Sequence, residues 1–275
     1  MQKPTRIDIA KDTLEVIQNG YYVTNAGEKV DISAAQQAAQ NNTVLYTPEA
    51  AMTLIQELEI LPQAIPTEFE VNDLTTLDSV RVEAGQAKHL GYLNFASARN
   101  PGGGFLNGSQ AQEESIARAS GLYPCLLLAE TYYSTNRAER SCFYTDHFIF
   151  APHVPVFKFE DGTYMDRPVL ASVITAPAVN TGIVRRAEPT RIYEILPRMR
   201  QRMDMVLAAF HAQQCDTLVL GAWGCGVFQN DPKEIAQLFF ELLSTKYKDA
   251  FKRIIFSVYA RDDKFIKPFQ ELFGL

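Results

Sequence analysis

The chain has no apolar run long enough to span a membrane. Its first residues, MQKPTRIDIAKD, hold no apolar stretch of the kind a secretory leader needs. The expectation is a cytoplasmic protein with no membrane partner, working as a monomer. Cysteine is scarce. Cys125, Cys142, Cys215 and Cys225 lie far apart and form no CxxC pair, which makes a disulfide framework or a zinc site a poor reading. Positive charge is short as well. With 26 Lys+Arg against 32 Asp+Glu, the net charge of −6 argues against a nonspecific grip on nucleic acid, which needs basic surface to displace counterions. It leaves phosphate ligands open, because main-chain amides at a helix N-terminus bind anions whatever the overall charge. There is no GxSxG elbow, no low-complexity tract and no internal repeat. His89, His147, His153 and His211 are scattered, and none is assigned to catalysis or to a metal.

What is present is 275 residues of ordinary globular composition, enough for one large domain or a domain with an added lobe. Residues 4–18 pattern as a helix stopped by Gly20. YYVT and KVDIS, separated by Asn25-Ala26-Gly27, pattern as a hairpin. Helices are expected at 33–40 and from Pro48 to Leu58, with TVLYT (43–47) as a strand between them. The proline-bearing stretch LPQAIPTEF (61–69) is the expected boundary, giving an accessory lobe at 1–65 and a main domain at 66–275.

Beyond it, strands and helices alternate. FEV, residues 90–96, HFIFAP (147–152), VLASVITAP (169–177), DTLVLGAW (216–223) and RIIFSVYA (253–260) pattern as strands. Helices are expected at 76–88, 111–120, 123–132, 188–213 with a break near Pro197, from Pro232 to Lys246, and at 262–272. This alternation predicts an α/β fold with a mostly parallel sheet covered on both faces.

Two stretches carry chemistry. In HLGYLNFASARNPGGGFLNGSQAQEESIARASG (89–121), the strand is followed by Gly102, Gly103 and Gly104 and, after seven intervening residues, by Gln112, Glu113 and Glu114. Glycines let backbone approach a ligand with no Cβ in the way, and adjacent carboxylates can raise one another's pKa so that one stays protonated to serve as an acid. The second stretch, Gly224-Cys225-Gly226-Val227-Phe228, lies between a strand and the helix opened by Pro232. That layout offers main-chain N–H groups to a diphosphate. An ordinary tight turn is the competing reading. It is neither a Walker loop, since no GK[ST] follows, nor a dinucleotide fingerprint, since GxGxxG is absent.

The pattern GGG, seven residues, QEE, within NFASARNPGGGF…QAQEES, resembles the bacterial-type poly(ADP-ribose) glycohydrolases, a branch of the macrodomain fold. GAWGCGVF resembles the diphosphate loop of the same family. The resemblance implies a three-layer α/β/α macrodomain with a mixed, mostly parallel sheet, plus an N-terminal accessory lobe. It implies Glu114 as general acid and base, with Glu113 holding ribose hydroxyls. Asn94 and Ser97 would meet the reactive ribose, residues 224–228 the diphosphate, and Phe228 would shape the cleaved ribose. Asp73 is a candidate for the adenine amino group, an Asx-type helix cap being the alternative. The expected substrate is poly(ADP-ribose) or ADP-ribosylated protein, the product ADP-ribose, with no cofactor. An ADP-ribose reader without turnover, and a hydrolase of single ADP-ribose units on protein or nucleic acid, are the other readings. An NAD-dependent oxidoreductase is a distant third.

Overall fold

The computed structural model describes residues 3–60 and 65–274. The expected boundary stretch therefore falls partly outside the described residues, at 61–64. The chain opens with α1 (Lys3–Asn19). Gly20 ends it at φ +76°, where a side chain would be strained and would also meet Ser33. A ribbon of β1 (Tyr21–Val23) and β2 (Lys29–Asp31) leads to α2 (Ser33–Asn41), β3 (Val44–Tyr46) and α3 (Pro48–Glu57). The start of α3 is set locally: the Thr47 hydroxyl accepts from Ala50 N–H, and Pro48 fills a first-turn position that needs no donor.

Next come β4 (Glu68–Asn72), α4 (Thr76–Glu83), β5 (Leu90–Phe95), α5 (Gln112–Ala119), α6 (Leu122–Leu127) and α7 (Glu130–Ala138). The long hairpin of β6 (Phe148–Lys158) and β7 (Tyr164–Ala176) follows, then α8 (Thr181–Ala187) and α9 (Ile195–Ala212). The chain closes with β8 (Thr217–Leu220), α10 (Pro232–Ser244), β9 (Arg253–Ser257) and α11 (Lys267–Phe273). The single helix expected at 123–132 is two, α6 and α7. They part at Leu128-Ala129 and turn so that Tyr132 and Tyr133 are both buried while Leu127 and Leu128 face solvent. Pro197 stands in the first turn of α9, where a missing N–H breaks no bond, so the helix starts there rather than kinking.

Seven strands form one sheet in the order β3-β6-β7-β5-β8-β9-β4. Neighbours from β7 to β4 run parallel, and β6 is antiparallel to both of its neighbours. Side chains alternate between two buried faces, as the pleat requires. Leu93, Ile174, Leu218, Leu220, Ile254 and Phe256 pack with α9 and α10 on one face. Leu90, Tyr92, Val173, Val219 and Ile255 pack with α4–α7 on the other. The fold is a three-layer α/β/α sandwich.

Elements of residues 3–60 are built into this sandwich. β3 is the edge strand of the large sheet, with Leu45 opposite Ile149, and Tyr46 stacks on Phe148 at 4.7 Å between centroids. Ala51 of α3 is fully buried in the core cluster that holds Met199 and Met203 of α9. No helix among the described residues is long and apolar enough to cross a membrane.

Candidate active site

β5 ends at Phe95 and α5 begins at Gln112, and Gln112 ties these two ends together. Its side-chain oxygen accepts from Phe95 N–H at 2.8 Å, and its amide donates to Leu93 O at 2.8 Å and to Thr76 Oγ1 at 3.1 Å. The next two residues, Glu113 and Glu114, are then carried in the first turn of α5, both buried. Glu113 Oε2 accepts from Ser97 N–H at 2.6 Å, and Oε1 lies 3.5 Å from the Asn94 amide nitrogen. Burial pushes the Glu113 carboxyl up to about 8, and the charge of Glu114 pushes the same way against the hydrogen bonds from Ser97 and Asn94. At neutral pH Glu113 therefore keeps its proton. Glu114 Oε1 accepts from Gly104 N–H at 2.9 Å.

The three glycines serve these carboxylates. Gly103 has φ +61°, and a Cβ there would stand 2.5 Å from Glu114 Oε1 and 3.1 Å from Glu113 Oε2. Gly102, at φ +67°, would press on the Phe105 ring and Ala117. The loop thus brings main chain flush against two carboxyl groups and gives one of them an N–H. Gly102, Gly103 and Gly104 lie behind Glu113 and Glu114 instead of lining the cavity in front of them. Asn94 is likewise removed from the cavity: it is fully buried, donates to Thr175 Oγ1 at 3.2 Å, and orients Glu113 from behind.

The cavity has a volume of about 550 Å³ and opens at the C-terminal ends of β5, β8 and β9. Ligands sit at these strand ends in open α/β sheets. Ser97, Gln112, Glu113 and Glu114 line one side, and the whole of Gly224–Phe228 lines the other. Within that second loop, Cys225 N–H is used in a turn to Ala222 O at 3.1 Å. The N–H groups of Gly224, Gly226, Val227 and Phe228 make no hydrogen bond among the described residues, which leaves four donors beside the cavity.

The loop is held in place by Asn230. Its amide donates to Val179 O at 2.9 Å and Gly224 O at 3.1 Å, and its oxygen accepts from Thr181 Oγ1 at 2.7 Å. Gly224 needs its φ of +75°, and a Cβ there would strike Ala178 and Asn230 at 2.5 Å. Gly226 has nothing within 4 Å of a built Cβ, so its openness serves whatever enters the cavity. Burial pushes the Cys225 thiol well above its usual range, so it is a neutral wall group.

Several lining residues carry no sequence signal of their own. Tyr144, at φ +57°, faces Phe228 with ring centroids 6.0 Å apart. Arg202 sets this turn: its guanidinium, on α9, donates to Tyr144 O at 3.0 Å and Pro177 O at 3.0 Å, to Phe143 O, and to Asp146 Oδ1 at 2.7 Å. Arg99, Asn100, Tyr259 and Phe265 complete the rim. A second cavity of about 280 Å³ adjoins across Phe95, Gln112 and Tyr259, and reaches Thr75 and Thr76 at the start of α4. Asp73 is exposed and lines neither cavity, standing two residues before Thr75. The helix-cap role considered for Asp73 belongs to Thr75, whose Oγ1 accepts from Asp78 N–H at 3.2 Å, while Asn72 Oδ1 accepts from Leu74 N–H in the turn before it. Among the described residues no cluster of three His, Cys, Asp or Glu side chains could hold a metal ion.

Three comparisons bear on this site. The family model described as the catalytic domain of microbial-type PARG, that is poly(ADP-ribose) glycohydrolase, matches residues 10–159. The crystal structure of poly(ADP-ribose) glycohydrolase from Thermomonospora curvata superposes with a TM-score of 0.93 at 37% identity, over 98% of this chain and 99% of that one. The same enzyme bound to the inhibitor ADP-HPD superposes at 0.89 and 36% identity, over 98% of both chains. The Deinococcus radiodurans glycohydrolase in complex with ADP-ribose gives 0.83 at 40% identity, over 87% of this chain and 97% of that one. No curated protein matches the chain.

Proposed function

The chain belongs to the microbial-type poly(ADP-ribose) glycohydrolases, and from that premise we propose that Glu114 is the residue through which it cleaves the ribose–ribose O-glycosidic bond and releases ADP-ribose. The observation that carries this reading is the pair of buried, adjacent carboxyls facing a cavity whose opposite wall offers four unpaired main-chain N–H groups. A diphosphate seated on the Gly224–Phe228 amides places a ribose against Phe228 on one side and Glu113-Glu114 on the other. Bond breaking builds oxocarbenium character at the anomeric carbon and negative charge on the departing oxygen. Protonation of that oxygen by a positioned acid is worth roughly 10²–10⁴-fold in rate.

The proton on Glu113 has a route to the reacting carboxyl. Ribose hydroxyls that donate to Glu113 favour its anion, and the proton then belongs to Glu114. After the leaving group departs, the Glu114 anion takes a proton from the attacking water. Gly104 N–H and the first turn of α5 stabilise that anion. The Phe95–Tyr259 side of the site, with the smaller cavity beside α4, takes the adenosine end. We infer a monomer acting in the cytoplasm on poly(ADP-ribose) or ADP-ribosylated protein, a setting suited to four free cysteines.

The test is incubation with defined poly- and mono-ADP-ribosylated substrates, with free ADP-ribose read by mass spectrometry. Release from the polymer is the expected result. Release from single units alone would reassign the substrate. Binding without release from any of them would leave an ADP-ribose reader.

A further inference from the structure

We propose that α1 is a brace for the glycine loop that donates to the acid, with Arg6 and Lys158 as positioning residues for Glu114. The proposal rests on the glycohydrolase reading above and gives the N-terminal segment a part in the reaction. Lys158, the last residue of β6, is a fully buried cation remote from the cavity lining. Its ammonium donates to Thr13 Oγ1 at 2.8 Å and Ile9 O at 3.3 Å, and pairs with Asp12 at 2.5 Å, all on α1. Burial pulls its pKa down and Asp12 opposes that, so the cation depends on this helix for its counter-charge. The Thr13 hydroxyl in turn donates to Arg118 O at the end of α5, at 2.5 Å. One buried lysine therefore fixes α1 against both the sheet and the helix that carries Glu113 and Glu114.

From this anchored position α1 reaches the glycine loop. Arg6 Nε donates to Gly108 O at 2.7 Å. Ala10 packs with Phe105 and Ala117 in a small cluster of their own, flanked by Leu14 and Tyr123. The Phe105 ring is the surface on which Gly102 rests. Arg118 holds the far end of the loop by donating to Ser109 O at 2.8 Å, and Ser109 N–H closes onto Gly104 O at 3.1 Å. Gly104 N–H is the donor to Glu114 Oε1. The loop has α1 on one side and the reacting carboxyl on the other, so its height above Glu114 is set by how firmly α1 is seated. Misplacement of a catalytic group by about 1 Å can cost about 10²-fold in rate while ground-state binding is kept.

The test measures kcat on poly(ADP-ribose) and ADP-ribose affinity by calorimetry on the same preparations of wild type, Arg6→Ala, Arg6→Lys and Lys158→Met. Arg6 is on a part-exposed face of its helix, so Arg6→Ala is the variant expected to fold. The expected result is a kcat lower by about tenfold or more, an ADP-ribose Kd within about twofold of wild type, and recovery of most of kcat in Arg6→Lys. Lys158→Met, where it folds, should show the same split. An Arg6→Ala enzyme with wild-type kcat would overturn the brace. So would equal losses of affinity and turnover, which mark general loosening, or an Arg6→Lys as poor as Arg6→Ala. A wild type that releases no ADP-ribose would instead strike the underlying reading of function, and the two failures stay distinct.

Discussion

Glu113 and Glu114 are neighbours in sequence with different surroundings, and substitution should separate them. Glu114→Gln keeps the shape and the hydrogen bond from Gly104 N–H but removes the proton. Turnover should fall by roughly 10²-fold or more, with ADP-ribose affinity within a few-fold of wild type. Glu113→Gln cannot become the anion that ribose hydroxyls would favour, so affinity and turnover should both drop. Near-wild-type hydrolysis by Glu114→Gln would move the acid elsewhere. The pH dependence of stability gives a second handle on Glu113. Its folded carboxyl titrates near 8, above the ordinary value of 4.5, so between those pH values the native state holds a proton that the unfolded chain has released. Stability then falls as pH rises through that window, by at most about 1.4 kcal/mol per pH unit, and levels off above about 8. Glutamine has no such loss. The melting temperature of Glu113→Gln should gain on wild type from pH 5 to pH 8 and hold its lead above that; a pH-independent difference would mean that Glu113 titrates normally.

At the scale of elements, the two glycine loops look alike in sequence and differ in what they serve. Gly103 answers to the protein: a methyl group would be in left-handed backbone and 2.5 Å from Glu114 Oε1. Gly103→Ala should cost about 1–2 kcal/mol of stability and displace the carboxyls, cutting turnover more than binding. Gly226 answers to the ligand, since its would-be Cβ meets nothing. Gly226→Val should melt like wild type and bind ADP-ribose more weakly, and calorimetry showing unchanged affinity would make that loop a plain turn. The contrast also explains what could be read from sequence. Residues 90–119 form one continuous strand, loop and helix, so glycines and glutamates that meet in space are close along the chain. Tyr144 was not legible, because its place depends on an arginine 58 residues away that holds its carbonyl. Asn94 and the three glycines read in sequence as substrate contacts, and none of them lines the cavity. That they stand behind the carboxyls depends on how deeply α5 is buried, which no local pattern reports.

At the scale of the whole molecule, composition marks a proline-bearing stretch near residue 65 as a natural place to divide the chain. The division misses pairings that only the sheet reveals, such as Leu45 opposite Ile149 and Tyr46 stacked on Phe148. These contacts join residues about a hundred positions apart, so no periodicity could have shown them. Their consequence is testable by removing residues 1–65. The remaining chain would lose its edge strand and expose β6, whose main-chain groups would stand open to other chains. It would uncover Phe157, now packed with Tyr22 and Val16, and Phe105, now beneath Ala10. Lys158 would lose Asp12 and Thr13 and, with α1 gone, stand on a face that the helix now covers. Domains are stable by only roughly 5–15 kcal/mol, and the apolar surface uncovered on Phe157 and Phe105 counts against that margin at about 25 cal/mol per Å². The 66–275 fragment should therefore show no cooperative melting transition and no ADP-ribose binding, although it retains Glu113, Glu114 and the whole Gly224–Phe228 loop. A fragment that melts cooperatively and binds ADP-ribose would show that the first 65 residues are dispensable to the fold after all.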